Sequence, residues 1–322
     1  MKQTSVSTMK AIVVDEYGSP KNARFTDVAL PKLKDGFLLV RMHAAAVNPF
    51  DVKIVTGMVK DWVPVEFPYI PGMDGAGDVI DIGEGVRNWR KGDAVLAQFP
   101  GGAFAQYALI SASDKKLARK PAALDFDRAA AIPEAGLTAN TMIRAADLKT
   151  GQTVLIIGAT GGLGLFATQL AKAEGVRVVA TGKAEDEQYL RELGADEVID
   201  YAGGDVITQT VQRYPEGIDV VFDVINMGET LLRDAEVLRE YGTLVSSLGG
   251  PGQEAFGKNV NVHYIQLTAQ DGDLEDLARR AAEGKLRVEI GGTYDLAQAP
   301  QALADLLDPA KHTRGKLVIN IP

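Results

Sequence analysis

The segment Gly158-Ala159-Thr160-Gly161-Gly162-Leu163-Gly164 constrains this chain more than any other. It follows a wholly apolar run at 154–157. It opens an amphipathic stretch in which Leu163, Phe166, Ala167, Leu170 and Ala171 share one face, with Gly175 as the stop. A glycine-rich loop between a strand and a helix brings free backbone N–H groups up to a phosphate, aided by the helix dipole. Gly158 permits the tight turn. Gly161 and Gly162 let a pyrophosphate approach the backbone, and Gly164 lets the helix pack close to the strand. A glycine-rich turn without a ligand is the competing reading, and the pattern around the loop argues against it.

That pattern is a repeat of short apolar runs and helices. Runs at 176–180, 197–199, 220–224 and 243–248 alternate with helical stretches at 185–193, 206–213 and 229–238. Wholly apolar strands separated by helices predict a parallel sheet covered on both faces, and right-handed crossovers make it a doubly wound, Rossmann-type α/β sheet. Ahead of residue 125 the character differs. Runs at 11–14, 37–42, 77–82 and 94–97 are joined by Gly and Pro turns without helices, as in an irregular β-rich domain. Helices at 274–283 and 300–307 and a strand at 316–321 close the chain and belong with that first domain. The expected domains are therefore 1–124 with 271–322, and 125–270 for the nucleotide.

The cofactor preference is read at the tip of the second strand. NAD sites place an acid there for the ribose hydroxyls. Here the strand ends Ala180-Thr181-Gly182-Lys183, without an acid and with a lysine able to neutralise a 2′-phosphate. Glu185, Asp186 and Glu187 follow at once. They read either as acids complementing a helix dipole or as charges that repel a phosphate. The tip position favours NADPH.

Composition closes off other classes. The chain has 322 residues and no cysteine, which removes disulfides, thiol nucleophiles and thiolate metal sites. A net charge of −9 disfavours nucleic acid as the main partner. No signal peptide or membrane span is read, so a cytoplasmic protein with loose residues at 1–8 is expected.

The residues also resemble a family. Ala45-Ala46-Val47-Asn48-Pro49-Phe50-Asp51-Val52-Lys53, Pro71-Gly72-Met73-Asp74-Gly75-Ala76-Gly77, Gly136-Leu137-Thr138-Ala139, the glycine loop and Arg314-Gly315-Lys316-Leu317-Val318 occur in the order of one branch. That branch is the zinc-free quinone oxidoreductase (zeta-crystallin-like) branch of the medium-chain dehydrogenase/reductase superfamily. The resemblance implies a GroES-like catalytic domain, a Rossmann domain and an active-site cleft between them.

The resemblance also implies roles. Asn48 and Asp51 line the nicotinamide side, with Asn48 holding the acceptor oxygen. Thr138 is near the nicotinamide ribose or phosphates, and Thr181, Lys183 and Tyr201 surround the adenine ribose phosphate. Val224, Leu248 and Gly249 flank the nicotinamide, and Lys316 reaches the pyrophosphate. Asn48 also reads as a turn-former before Pro49, Asp51 as a structural cap and Tyr201 as the closure of a strand edge. Zinc-dependent relatives place metal ligands at what here are Asn48, Met73 and Ala135, a set unsuited to zinc. His43, His263 and His312 are scattered and read as strand or surface residues. Without a Lewis acid, alcohol oxidation is disfavoured against hydride transfer to an electron-poor small molecule, a quinone first and a conjugated C=C bond second. A non-catalytic NADPH-binding or RNA-binding protein is the reading from another class. Asn140 stands where the family has an aromatic. The alternating run at 260–265 is the edge strand through which relatives pair, so a homodimer is expected.

Overall fold

The computed structural model describes residues 8–257, 259–308 and 310–322. The expectation for the first eight residues falls outside them except at Thr8, which already opens a strand. The chain divides into two compact units. One holds the residues up to Glu134 together with Gln270–Pro322, and the other is Ala135–Ala269.

The first unit is built on strands. Strands β1 (Thr8–Val13) and β2 (Arg24–Ala29) pair antiparallel. Strand β3 (Phe37–Ala46) leads through Asn48 into helix α1 (Pro49–Thr56). Strands β4 (Asp74–Ile82), β5 (Ala94–Gln98), β6 (Tyr107–Ser111) and β7 (Leu117–Arg119) follow. Helix α2 (Phe126–Ala130) packs against β3 and β4. That packing carries the first unit ten residues past the expected boundary, into the start of helix α3 (Pro133–Ala146).

The second unit alternates as the apolar runs require. It contains β8 (Thr153–Ile157), α4 (Gly162–Ala173), β9 (Arg177–Gly182), α5 (Glu187–Glu192), β10 (Glu197–Asp200) and α6 (Val206–Arg213). Then come β11 (Ile218–Asp223), α7 (Thr230–Asp234), β12 (Leu238–Ser246) and β13 (Asn261–Tyr264). All six strands are parallel, in the order β10-β9-β8-β11-β12-β13. The order reverses between β8 and β11, the switch point where such sheets take ligands at their C-terminal edge. Val154, Leu155, Ile156, Val221 and Phe222 are buried, because helices cover both faces of these strands.

The chain then returns to the first unit with α8 (Asp273–Ala282), β14 (Ile290–Asp295), α9 (Ala299–Asp305) and β15 (Lys316–Asn320). Strand β15 pairs with β3 on one side and β14 on the other, which brings Lys316 to the neighbourhood of Asn48. The core of this unit gathers Val40, Met42, Phe99, Phe104, Leu303 and Ile319. Among the described residues no helix is long and apolar enough to cross a membrane.

Candidate active site

In the second unit the glycine loop leaves β8 and turns at Gly158, whose φ is +92°. A Cβ there would lie 2.5 Å from Ile225 Cγ1. A Cβ on Gly164 would overlap the Gly158 carbonyl oxygen, so only glycine lets α4 start this close to the strand. A Cβ on Gly161 would meet nothing nearer than 3.7 Å, so the loop is open on that side. Ala159 is buried, and Thr160, Gly162 and Leu163 are half-buried around the N-terminus of the twelve-residue helix. Backbone N–H groups at such a helix start favour an anion.

The ends of the neighbouring strands lie beside the loop. Thr181 is buried in β9. Its hydroxyl accepts the Gly158 N–H at 3.0 Å and donates to the Ile156 carbonyl, so it braces the glycine loop. Lys183 is the first side chain past β9. Its N–H donates to Asp186 Oδ2 at 2.9 Å, which turns that carboxylate inward, where it is buried. Glu187 is engaged by Arg191 at 2.8 Å. Two of the three acids that weighed against a phosphate are thus committed within the fold. Tyr201 is exposed, its N–H on the Gly182 carbonyl. Partial burial, with Asp186, Asp200 and Glu185 nearby, holds its phenol above the ordinary tyrosine range.

On the far side of the switch point, Val224 lies at the tip of β11, and Leu248 and Gly249 follow β12. The segment after β11 is anchored by carboxylates. Asp223 Oδ1 accepts the N–H groups of Ile225 and Asn226 at 2.8 and 2.7 Å. The Asn226 amide donates to both Asp223 and Asp234, at 3.0 and 2.9 Å. Burial, reinforced by the neighbouring Asp223, pushes the Asp234 carboxyl up to about 8. Thr138 is buried on α3, and Asn140, two residues on, is half-buried.

The first unit holds a different kind of site. Asn48 caps α1 and is 2% exposed. Its backbone N–H donates to Asp51 Oδ2 at 2.8 Å, and Asp51 Oδ1 accepts the Met73 N–H at 3.1 Å. Asp51 thereby closes a capping box with Asn48 at the helix start. The Asn48 side chain donates from Nδ2 to Asp74 Oδ2 at 3.0 Å and accepts a hydrogen bond at Oδ1 from Lys316 Nζ. Asp74 accepts the Glu134 N–H through both oxygens, at 3.0 and 3.2 Å, and lies 3.6 Å from Lys316 Nζ. Glu134 in turn accepts a hydrogen bond from Gln98. Asp74 therefore pairs with a buried ammonium whose charge also reaches the Asp51 and Glu134 carboxyls. Burial pushes Asp51 up to about 8. Burial and the nearby Asp74 push Glu134 up to about 7. Asp74 is raised by burial against the pull of Lys316.

Asp74, Glu134 and Gln98 are not marked by the sequence pattern, although Asp74 stands inside the Pro71–Gly77 motif and Glu134 two residues ahead of Gly136. The available signal was a lone acid flanked by Gly, Ala, Met and Pro, with no exposed neighbours to solvate it. Lys316, expected at a pyrophosphate, is engaged inside the first unit. His43 pairs with Asp78 at 2.8 Å.

Residues 34–122 match the alcohol dehydrogenase GroES-like domain, and residues 193–319 match the zinc-binding dehydrogenase family. The chain is 33% identical to the quinone oxidoreductase of Sus scrofa, over 97% of each. It is 30% identical to the NADPH-dependent alkenal/one oxidoreductase of Arabidopsis thaliana chloroplasts, over 97% of this chain and 79% of that protein. The solved quinone oxidoreductase of Coxiella burnetii superposes with a TM-score of 0.87 at 31% identity, covering 98% of this chain and all of that one. The chain belongs to the medium-chain dehydrogenase/reductase superfamily, in its quinone oxidoreductase branch. It is an oxidoreductase with a nicotinamide cofactor.

Membership of this superfamily raises the question of zinc, and the donor set answers it for this chain. Asn48 offers an amide whose oxygen is already taken by an ammonium. Met73 offers a thioether and Ala135 a methyl group. Zinc sites are built from thiolate, imidazole and carboxylate. The carboxylates nearby are occupied by Lys316, Asn48 and backbone N–H groups. The residues present do not fit the metal.

Proposed function

We propose that this oxidoreductase uses NADPH to reduce quinones and does so without zinc. Lys183 carries the cofactor choice. It is the first side chain beyond the β9 tip, where no acid stands, and Asp186 beside it is turned inward and buried. The cofactor supplies the hydride, and the protein supplies orientation. Asn48 holds the acceptor oxygen as negative charge develops on it. A quinone suits a site of this kind, because its reduced anion spreads charge by resonance and needs no Lewis acid. Names of relatives support both the quinone and the NADPH parts of this reading. The test is steady-state oxidation of NADPH and NADH against a panel of quinones and conjugated enones. Turnover confined to enones would replace the quinone reading with C=C reduction. Binding of NADPH without turnover of either class would replace it with a non-catalytic role.

A further inference from the structure

A side-chain amide is nearly symmetric in shape, so its orientation is set by the polarity of its partners. Asn48 has two charged partners of opposite polarity. Lys316 is an ammonium and only donates, and it faces Oδ1. Asp74 takes Nδ2 at 3.0 Å and is a pure acceptor when ionised, as Lys316 at 3.6 Å favours. Turning the amide over would set NH2 against the ammonium and C=O against the carboxylate. Asp74 is itself fixed, because both of its oxygens accept the Glu134 N–H at the start of α3. Lys316 is only 4% exposed and Asp74 is fully buried, so neither is a mobile surface charge. Burying an ammonium is expensive unless it is paired, so the fold retains this pair at a cost. The geometry also leaves something over. Nδ2 carries two hydrogens, and only one has a partner among the described residues. A buried amide N–H without an acceptor is unfavourable, and an incoming oxygen would satisfy it.

We propose that Lys316 and Asp74 are positioning residues that lock the Asn48 amide in one orientation, leaving one Nδ2 hydrogen for the oxygen of the hydride acceptor. This rests on the reading of Asn48 as the residue that holds the acceptor. Lys316→Met alone strands Asp74 as an unpaired buried charge and threatens folding. The informative variant is therefore Lys316→Met with Asp74→Asn, which removes both charges together. Its kcat for quinone reduction is expected to fall about tenfold to a hundredfold, the range for a misplaced group at the reacting atoms. KM for NADPH is expected to stay unchanged, since the glycine loop and Lys183 are untouched. The same pair of changes placed on Asn48→Ala is expected to cost nothing further, because residues that act through one group are not additive. If Asn48→Ala retains wild-type kcat, the role of Asn48 itself is wrong. If Asn48→Ala slows turnover and the charge-removed pair does not, Asn48 acts without being positioned and the proposal fails. If the pair slows turnover equally with and without Asn48, its role is general to the fold and the proposal fails.

Discussion

At the scale of single residues, the account turns on side chains whose partners fix their work. Lys183→Ala is expected to weaken NADPH binding by about 1–3 kcal/mol, the range for a charge-assisted hydrogen bond, and to leave NADH nearly unchanged. Titration of both cofactors into wild type and variant measures this, and equal losses would make Lys183 structural. Asp234 gives a pH dependence. Its carboxyl is raised from 3.8 to about 8 in the folded protein. Between those values the folded state binds a proton that the unfolded state has lost, so stability falls as pH rises through that window. Below the window both states are protonated, and above it both are ionised. Asp234→Asn removes this titration, while Asp51 and Glu134 titrate alike in both proteins and cancel. From about pH 5 to about pH 9, wild type is expected to lose on the order of 4 kcal/mol relative to the variant in urea unfolding, about 1.4 kcal/mol for each pH unit up to the folded value. A constant difference would contradict the assignment. Lys183 and the glycines were legible because position along a strand–loop–helix unit carries their meaning. Asp74, Glu134 and Asp234 were not, because their partners arrive from 60, 36 and 8 residues away.

At the scale of elements, strands buried on both faces announced themselves as apolar runs, and β8, β9 and β11 lie within a residue or two of expectation. Strand β12 did not. The sequence reads helix to 238 and strand from 243, whereas the strand starts at Leu238. Arg239, Glu240 and Tyr241 are exposed there, and Tyr241 has a φ of +61°, so the apolar pattern is interrupted inside one strand. The register against β11 shifts at the same place. Strand β13 bears on assembly. It pairs with β12 on one side only, and its outer edge has no strand partner among the described residues. Pairing with a second copy would satisfy that row of backbone groups. A homodimer is therefore expected by light scattering at micromolar concentration, and a monomer would count against this use of the edge.

At the scale of the whole molecule, one unit is built around backbone N–H groups suited to a phosphate, and the other around a buried cluster with its own internal cation. The general architecture was legible because periodicity and glycine placement are local. The buried ammonium beside the carboxyls was only half legible. The sequence showed which ligands were missing, and the pairing of β15 with β3 was needed to show that Lys316 stands among the carboxyls. The measurement that tests the central claim most directly is quinone reduction by protein dialysed exhaustively against EDTA, with kcat/KM compared for NADPH and NADH. The account predicts full activity after chelation and a preference for NADPH of about tenfold or more, the factor one charge-assisted contact supplies. Loss of activity that zinc restores, or equal use of the two cofactors, would contradict it.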